Sequence, residues 1–120
     1  MGRFQEKQLA QSRPSGTSAA SIYSPPASTT AIIKTIIIAN VGSGSVDASL
    51  FCDDDGTTYD ESTSIYWEVS IANGNTTIID TYICMNDATG NFAVQSSSGN
   101  DLTFTIFGVE ITLIKIKWAI

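Results

Sequence analysis

The run Asp53-Asp54-Asp55-Gly56 is the densest concentration of ligating side chains in the sequence. Carboxylates gathered at a glycine turn are how hard cations such as calcium are held. The EF-hand frame fails here, however. With Gly56 at the sixth loop position, Phe51 falls at the first and Ser62 at the twelfth, where acidic ligands are required. A looser site among Asp53, Asp54, Asp55, Asp60 and Glu61 stays open. Beside it stands a plainer reading, a solvated hairpin tip in which aspartate supplies turn geometry, and that reading is preferred.

Other chemistry is scarce. The chain has no histidine, which removes the usual general base, the nucleophile–histidine triads and most metal hydrolase sites. Glu68 and Asp80 are candidates for a glycosidase carboxylate pair, but nothing in the pattern buries or pairs them. No enzyme is expected, and no cofactor. Tyr66, Trp67 and Tyr82 would make a sugar-stacking platform only if all faced outward, and strand alternation places Trp67 inside. Cys52 and Cys84 are expected as free thiols packed as small hydrophobes, since two cysteines without histidine do not make a structural zinc site.

What must position these residues is a β scaffold. Only 15% of the 120 residues are charged while 42% are hydrophobic, which suits one domain with short turns and a modest core. Apolar runs are a few residues long, so no membrane-spanning segment is expected, and the first 16 residues have no hydrophobic centre of the kind a secretory signal needs. The net charge of −6 is unevenly spread: residues 1–18 carry +2, residues 111–120 carry +2, and residues 19–110 carry −10. An acidic body repels nucleic acid, so no direct nucleic-acid partner is expected. Basic ends are suited to lie on acidic neighbours.

Residues 29–40, TTAIIKTIIIAN, anchor the scaffold, with five isoleucines among twelve residues. β-Branched side chains lose rotamer freedom in a helix and pack well on a pleated sheet. Strict alternation puts Ile32, Ile36 and Ile38 on one face with Lys34, and Ile33, Ile37 and Ala39 on the other. A strand apolar on both faces is covered on both sides, so Ile33 and Ile37 are assigned to a partner. Further strands are expected at 19–24, 45–53, 64–71, 76–85, around Phe92 and Val94, and at 102–108, separated by turns such as Asp55-Gly56 and Asn73-Gly74. Residues 3–11, RFQEKQLAQ, are expected to make a helical turn or two. The side chains expected to point inward are Ile36, Ile38, Leu50, Trp67, Val69, Ile79, Phe104 and Ile106.

The resulting fold class is all-β, a single β-sandwich or jelly-roll-like domain of about 7–8 short antiparallel strands. It divides into an N-terminal arm, 1–18, a sandwich, 19–111, and a C-terminal strand or arm, 112–120. Candidate contacts to another copy or a partner are Ile33, Ile37, Ile114, Ile116, Trp118 and Ile120, with Arg3, Lys7 and Arg13 on the basic arm.

The order Tyr23, Pro25, Thr30 to Lys34, Asn40 and finally Gly108 to Glu110 resembles that of small β-sandwich virion proteins of tailed bacteriophages. The similarity covers residues 19–111, and the tail beyond Ile111 departs from it. The resemblance implies a non-enzymatic structural protein of the virion, assembled in the host cytoplasm. It would be a homo-oligomer, often a trimer, that binds other virion proteins such as the major capsid protein. A capsid decoration or cement protein is the leading form, and a neck, tail or fibre component the alternative. A glycan- or ligand-binding sandwich module is the reading from another class.

Overall fold

The computed structural model describes residues 2–86 and 89–113. They form eight strands: β1 (Gly2–Ser12), β2 (Ala20–Tyr23), β3 (Thr29–Asn40), β4 (Val46–Asp53), β5 (Ser64–Ile71), β6 (Thr76–Asn86), β7 (Asn91–Ser96) and β8 (Leu102–Leu113). The chain behaves as one long hairpin rolled up on itself. Its two arms pair from the ends inward, β1 with β8, β2 with β7, β3 with β6 and β4 with β5, all antiparallel. Rolling then adds β3 to β8 and β4 to β7. Two four-stranded sheets result, β1-β8-β3-β6 (sheet A) and β2-β7-β4-β5 (sheet B), and this is a jelly-roll sandwich.

The core lies between the sheets. Ile33, Ile36 and Ile38 of β3 and Leu102, Phe104 and Ile106 of β8 meet Val46, Ala48 and Leu50 of β4 and Phe92 and Val94 of β7. Most of the side chains expected to point inward do so. Ile36, Ile38, Leu50, Phe104 and Ile106 are buried, while Val69 and Ile79 are half-buried. Turn chemistry also follows the sequence. The Asn75 N–H closes on the Ala72 carbonyl at 3.1 Å, and Gly74 sits at φ +76°, a conformation glycine adopts without strain.

Three expectations are corrected, two of them by bulges. Residues 3–11 are not helical, since β1 pairs along β8 from Gly2 to Ser12. Its charged residues sit on a sheet edge, where tertiary pairing overrides weak helix propensity. In β3 an extra residue at Lys34 shifts the register against β8. A bulge resets alternation, so Ile33 joins Ile36 and Ile38 inside, fully buried. Ile33 therefore has no surface to give a partner, and Ile32 takes the outward place beside Ile37. In β5, Trp67 and Glu68 together face Ser49, because Ala48 pairs with Val69 and Leu50 with Tyr66. Trp67 is thereby turned outward and is 41% exposed, while Tyr66 packs against the core.

The long strands of sheet A need close backbone approach at one place. A Cβ at Gly108 would run into the Ile32 carbonyl oxygen, so only glycine fits where β8 passes the β3 bulge. Asn40 closes the other end of β3. Its Nδ2 donates to the carbonyls of Gly44 and Ile71, each at 2.8 Å, and its Oδ1 accepts from the Gly42 N–H at 2.9 Å. This buried amide ties sheet A to the end of β5 in sheet B.

Phe104→Ala is expected to cost about 3–5 kcal/mol, from lost transfer energy plus the cavity left behind. Trp67→Ala should cost less, since the ring is 41% exposed and loses its edge contact with Phe51, about 0.5–1.5 kcal/mol, plus the burial of its covered part. Urea unfolding of both variants checks the inversion; equal costs would mean that Trp67 points inward.

Candidate interaction surfaces

The outer face of sheet A is unusually apolar. Following the register, Phe4 lies opposite Ile111, Val109 opposite Ile32, and Ile37 opposite Ile78. Phe4, Ile78 and Tyr82 stand 66%, 65% and 68% exposed, on β1 and β6, the two edges of this sheet. Apolar groups are thus gathered on one face and along the two open edges of the sheet. Glu6 on β1 reaches Lys34 on β3 at 3.6 Å. The pair crosses β8 above Val109, which is fully buried although it lies on this face.

The basic residues of the N-terminal strand are largely committed within the chain. The Lys7 ammonium donates to Glu110 Oε1 at 3.2 Å, and the Tyr23 hydroxyl donates to Glu110 Oε2 at 2.6 Å. Three strands from both sheets thus converge on one carboxylate. Burial, and then Glu110 as hydrogen-bond acceptor and negative neighbour, push the Tyr23 phenol far above its ordinary value, so it stays a donor throughout the working range. Arg13 Nε donates to the Asn100 carbonyl at 2.8 Å. Arg3 alone of the three is exposed with no hydrogen bond or ion pair among the described residues. Of the other expected contacts, Ile37 is half-buried on the outer face, and Ile114, Ile116, Trp118 and Ile120 lie outside the described residues.

The aspartate run does a structural job. Asp53, Asp54 and Asp55 bring oxygens within 4.8 Å of one another, but Asp53 is already engaged. Its Oδ2 accepts from the N–H groups of Thr58 at 2.8 Å and Thr57 at 3.0 Å, and its Oδ1 accepts from the Asp55 N–H at 3.4 Å. Asp55 Oδ1 likewise takes the Thr57 N–H and hydroxyl. These are local caps that fold the β4–β5 loop back over the sheet. Tyr59 of that loop lies 6.2 Å from the Phe51 ring, helping to bury an aromatic residue that points away from the core.

Both cysteines are free thiols, as expected. Cys52 is half-buried, and burial first, then Asp53 and Asp54, raise its pKa, so the thiol stays protonated. Cys84 corrects the expectation of two packed thiols: it is exposed, because its place opposite Ile32 puts it on the outer face of sheet A. With Asp53, Met85 and Gly90 the two thiols line an opening of about 410 Å³ at the end of the sandwich.

No protein-family model matches the chain, and no curated protein matches it by sequence. Solved structures do match by fold. A chain of the acid-stable capsid of Helicobacter pylori bacteriophage KHP30 aligns with 98% of this chain and 100% of its own, at TM-score 0.53 and 10% identity. The coat protein of Tobacco streak virus aligns with 99% of this chain and 91% of its own, at TM-score 0.50 and 8% identity. An infectious bursal disease virus particle chain aligns with 93% of this chain at TM-score 0.48 and 11% identity, and this chain spans only 31% of it. The likeness is one of fold, a jelly roll of the kind found in viral capsid and coat proteins. No helix among the described residues is long and apolar enough to cross a membrane.

Tyr23→Phe should leave one Glu110 oxygen without its donor and cost about 1.5–3 kcal/mol, read from chemical denaturation; an unchanged midpoint would mean that water replaces the hydroxyl without loss.

Backbone donors, the Thr58 N–H foremost, hold the Asp53 carboxyl below its ordinary value of 3.8. Around that value the folded state binds fewer protons than the unfolded one. The stabilisation is therefore complete above pH 3.8 and fades as pH falls through it to the lower folded value. Amide protection at Thr57 and Thr58, taken relative to the intrinsic exchange rate at each pH, should fall over that window in the wild type and show little such dependence in Asp53→Asn. Calcium chelation at neutral pH should leave the melting temperature unchanged, whereas a drop of several degrees would assign the loop to a cation.

Proposed function

We propose that this chain is a non-enzymatic structural protein of a virion, acting as a capsid decoration or cement protein. The observation that carries the reading is the end-to-end fold match with a capsid chain of bacteriophage KHP30, which spans 98% of this chain and all of the other. A single small sandwich that matches a whole capsid chain fits a component that works as a separate module. The apolar outer face of sheet A supports the same reading, because such a surface is stable in water only when covered by its own kind or a neighbour.

In this proposal the chain self-associates through sheet A, with a homotrimer as the expected state, and then docks on other virion proteins such as the major capsid protein. Ile37, Ile78, Tyr82 and Phe4 supply the apolar contact, at about 1.5–3 kcal/mol for each large side chain fully covered. Thr112 and Leu113 pair within the chain as the end of β8, so the tail assigned to the same contact, as a strand or arm lent to a neighbour, is 114–120. Arg3 contributes charge toward an acidic body carrying −10 over residues 19–110. Direct contact with nucleic acid is not part of the role.

Two measurements test this. In purified particles, labelled antibody or cryo-electron microscopy should place stoichiometric copies on the head. Copies confined to the neck, tail or fibres would move the protein to that part of the virion, and absence from particles would overturn the reading. In solution, sedimentation should show a concentration-dependent oligomer that Ile78→Lys with Tyr82→Lys converts to a folded monomer. Deletion of residues 114–120 should weaken the oligomer by the same assay. A wild-type chain that stays monomeric at all concentrations would remove sheet A as the contact.

A further inference from the structure

The outer face of sheet B differs in chemistry from that of sheet A. The β5 bulge turns Trp67 and Glu68 out together opposite Ser49, and Glu68 adopts φ +48°, a left-handed conformation rare for a charged side chain. Gln95 of β7 lies directly across β4 from this point, opposite Ser49. Asp47, Ser49, Glu68, Gln95 and Ser97 then line a notch of about 60 Å³. A notch of that size takes a few water-sized groups and nothing as large as a ring.

The groups around the notch are set in a way that suits a polyol. The Ser49 hydroxyl accepts the Glu68 N–H at 2.9 Å, and the Ser97 hydroxyl accepts the Asp47 N–H at 2.9 Å. Each oxygen is thereby held in place while its own proton remains to be donated. The Gln95 Nε2 donates to the Thr17 carbonyl at 3.0 Å, which fixes its amide. Among the described residues the carboxylates of Asp47 and Glu68 have no hydrogen-bond or ion-pair partner, so they are open acceptors. Beside them Trp67 stands edge-on to Phe51, with ring centroids 6.1 Å apart. Phe51 is fully buried and flanked from the loop by Tyr59, so the indole rests on a rigid base with part of its surface free.

We propose that this face of sheet B is a saccharide-binding shelf. A sugar ring lies on Trp67, and two of its hydroxyls enter the notch between the carboxylates of Asp47 and Glu68 and the hydroxyls of Ser49 and Ser97. An apolar sugar face against an aromatic ring, with hydroxyls taken by acceptors and donors at the side, satisfies both halves of the ligand. Two unpaired carboxylates set the class: neutral or amino sugars are accepted, and acidic sugars are repelled. The inference is independent of a virion role, because it uses none of the sheet A surface.

Nuclear magnetic resonance titration of the full chain tests it, with chitotriose, maltotriose, lactose, chitosan trimer and sialyllactose as probes. Saturable shifts are expected for residues 47–49, 67–68 and 95–97 with at least one neutral or amino probe, and none with sialyllactose. Trp67→Ala and Glu68→Gln should each weaken that binding by about tenfold or more. Glu68 is an exposed side chain, so its variant keeps the test valid if Trp67→Ala does not fold. Absence of saturable shifts from every neutral and amino probe, unchanged affinity in Glu68→Gln, or preference for sialyllactose would each overturn the proposal.

Discussion

The pairing of β3 with β8 is the interaction on which the remainder depends. These two strands of twelve residues run antiparallel from Thr29 opposite Thr112 to Asn40 opposite Leu102. Neither pairing partner is its neighbour in sequence, so the ladder closes the rolled hairpin. It also brings Ile33, Ile36 and Ile38 beside Phe104 and Ile106 to make the sheet A side of the core. The absence of a side chain at Gly108 lets the backbones pass at the β3 bulge. With that ladder in place β1 and β6 add to its two edges, and sheet B has a surface to cover. A non-local pairing of this kind carries a large loop-closure cost in folding, which the buried isoleucines and phenylalanines must offset.

The fold class was legible because strand signals are local. Isoleucine-rich runs, Asn73-Gly74 and Asp55-Gly56 each announce a strand or a turn without knowledge of the whole. The jelly-roll order of strands was not fixed by them, since strand partners are chosen by the tertiary packing. Face assignment succeeded where alternation is unbroken, as in β8 with Leu102, Phe104 and Ile106 all buried. It failed at Ile33 and Trp67, and for one reason. A bulge adds a single residue, which reverses every assignment on one side of it. Neither Lys34 nor the Trp67-Glu68 pair is a glycine, so the usual sequence mark of a bulge is missing at both.

The bulges of sheet A are not scattered. Against β8, β1 gains a residue between Gln8 and Ala10, and β3 gains one at Lys34. Against β3, β6 gains another between Asp80 and Ile83. The irregularities therefore form one line across the sheet, level with Gly108. Extra residues on successive strands lengthen one side of a sheet and bend it, increasing the local twist. The basic arm read from residues 1–18 has to be understood in this light. Lys7 and Arg13 bind Glu110 and the Asn100 carbonyl of the same chain, which leaves Arg3 as the cation of the three with no partner among the described residues.

The bulge in β5 has the opposite consequence. Had strict alternation held, Trp67 would have filled the core and the outer face of sheet B would have been a bland polar surface. The extra residue instead moves a large aromatic out of the core and leaves the smaller Val69 half-buried in the interior row beside Ile71. A protein that needed only stability would gain by burying that ring, since it is among the largest apolar surfaces available. It would also gain by placing glycine rather than glutamate at φ +48°, where a side chain is strained. Both costs fall at one point, and that point borders the notch of Asp47, Ser49, Gln95 and Ser97. Sheet A and sheet B thus differ in what their irregularities do: one curves an apolar face, and the other holds an aromatic ring and two open carboxylates toward solvent.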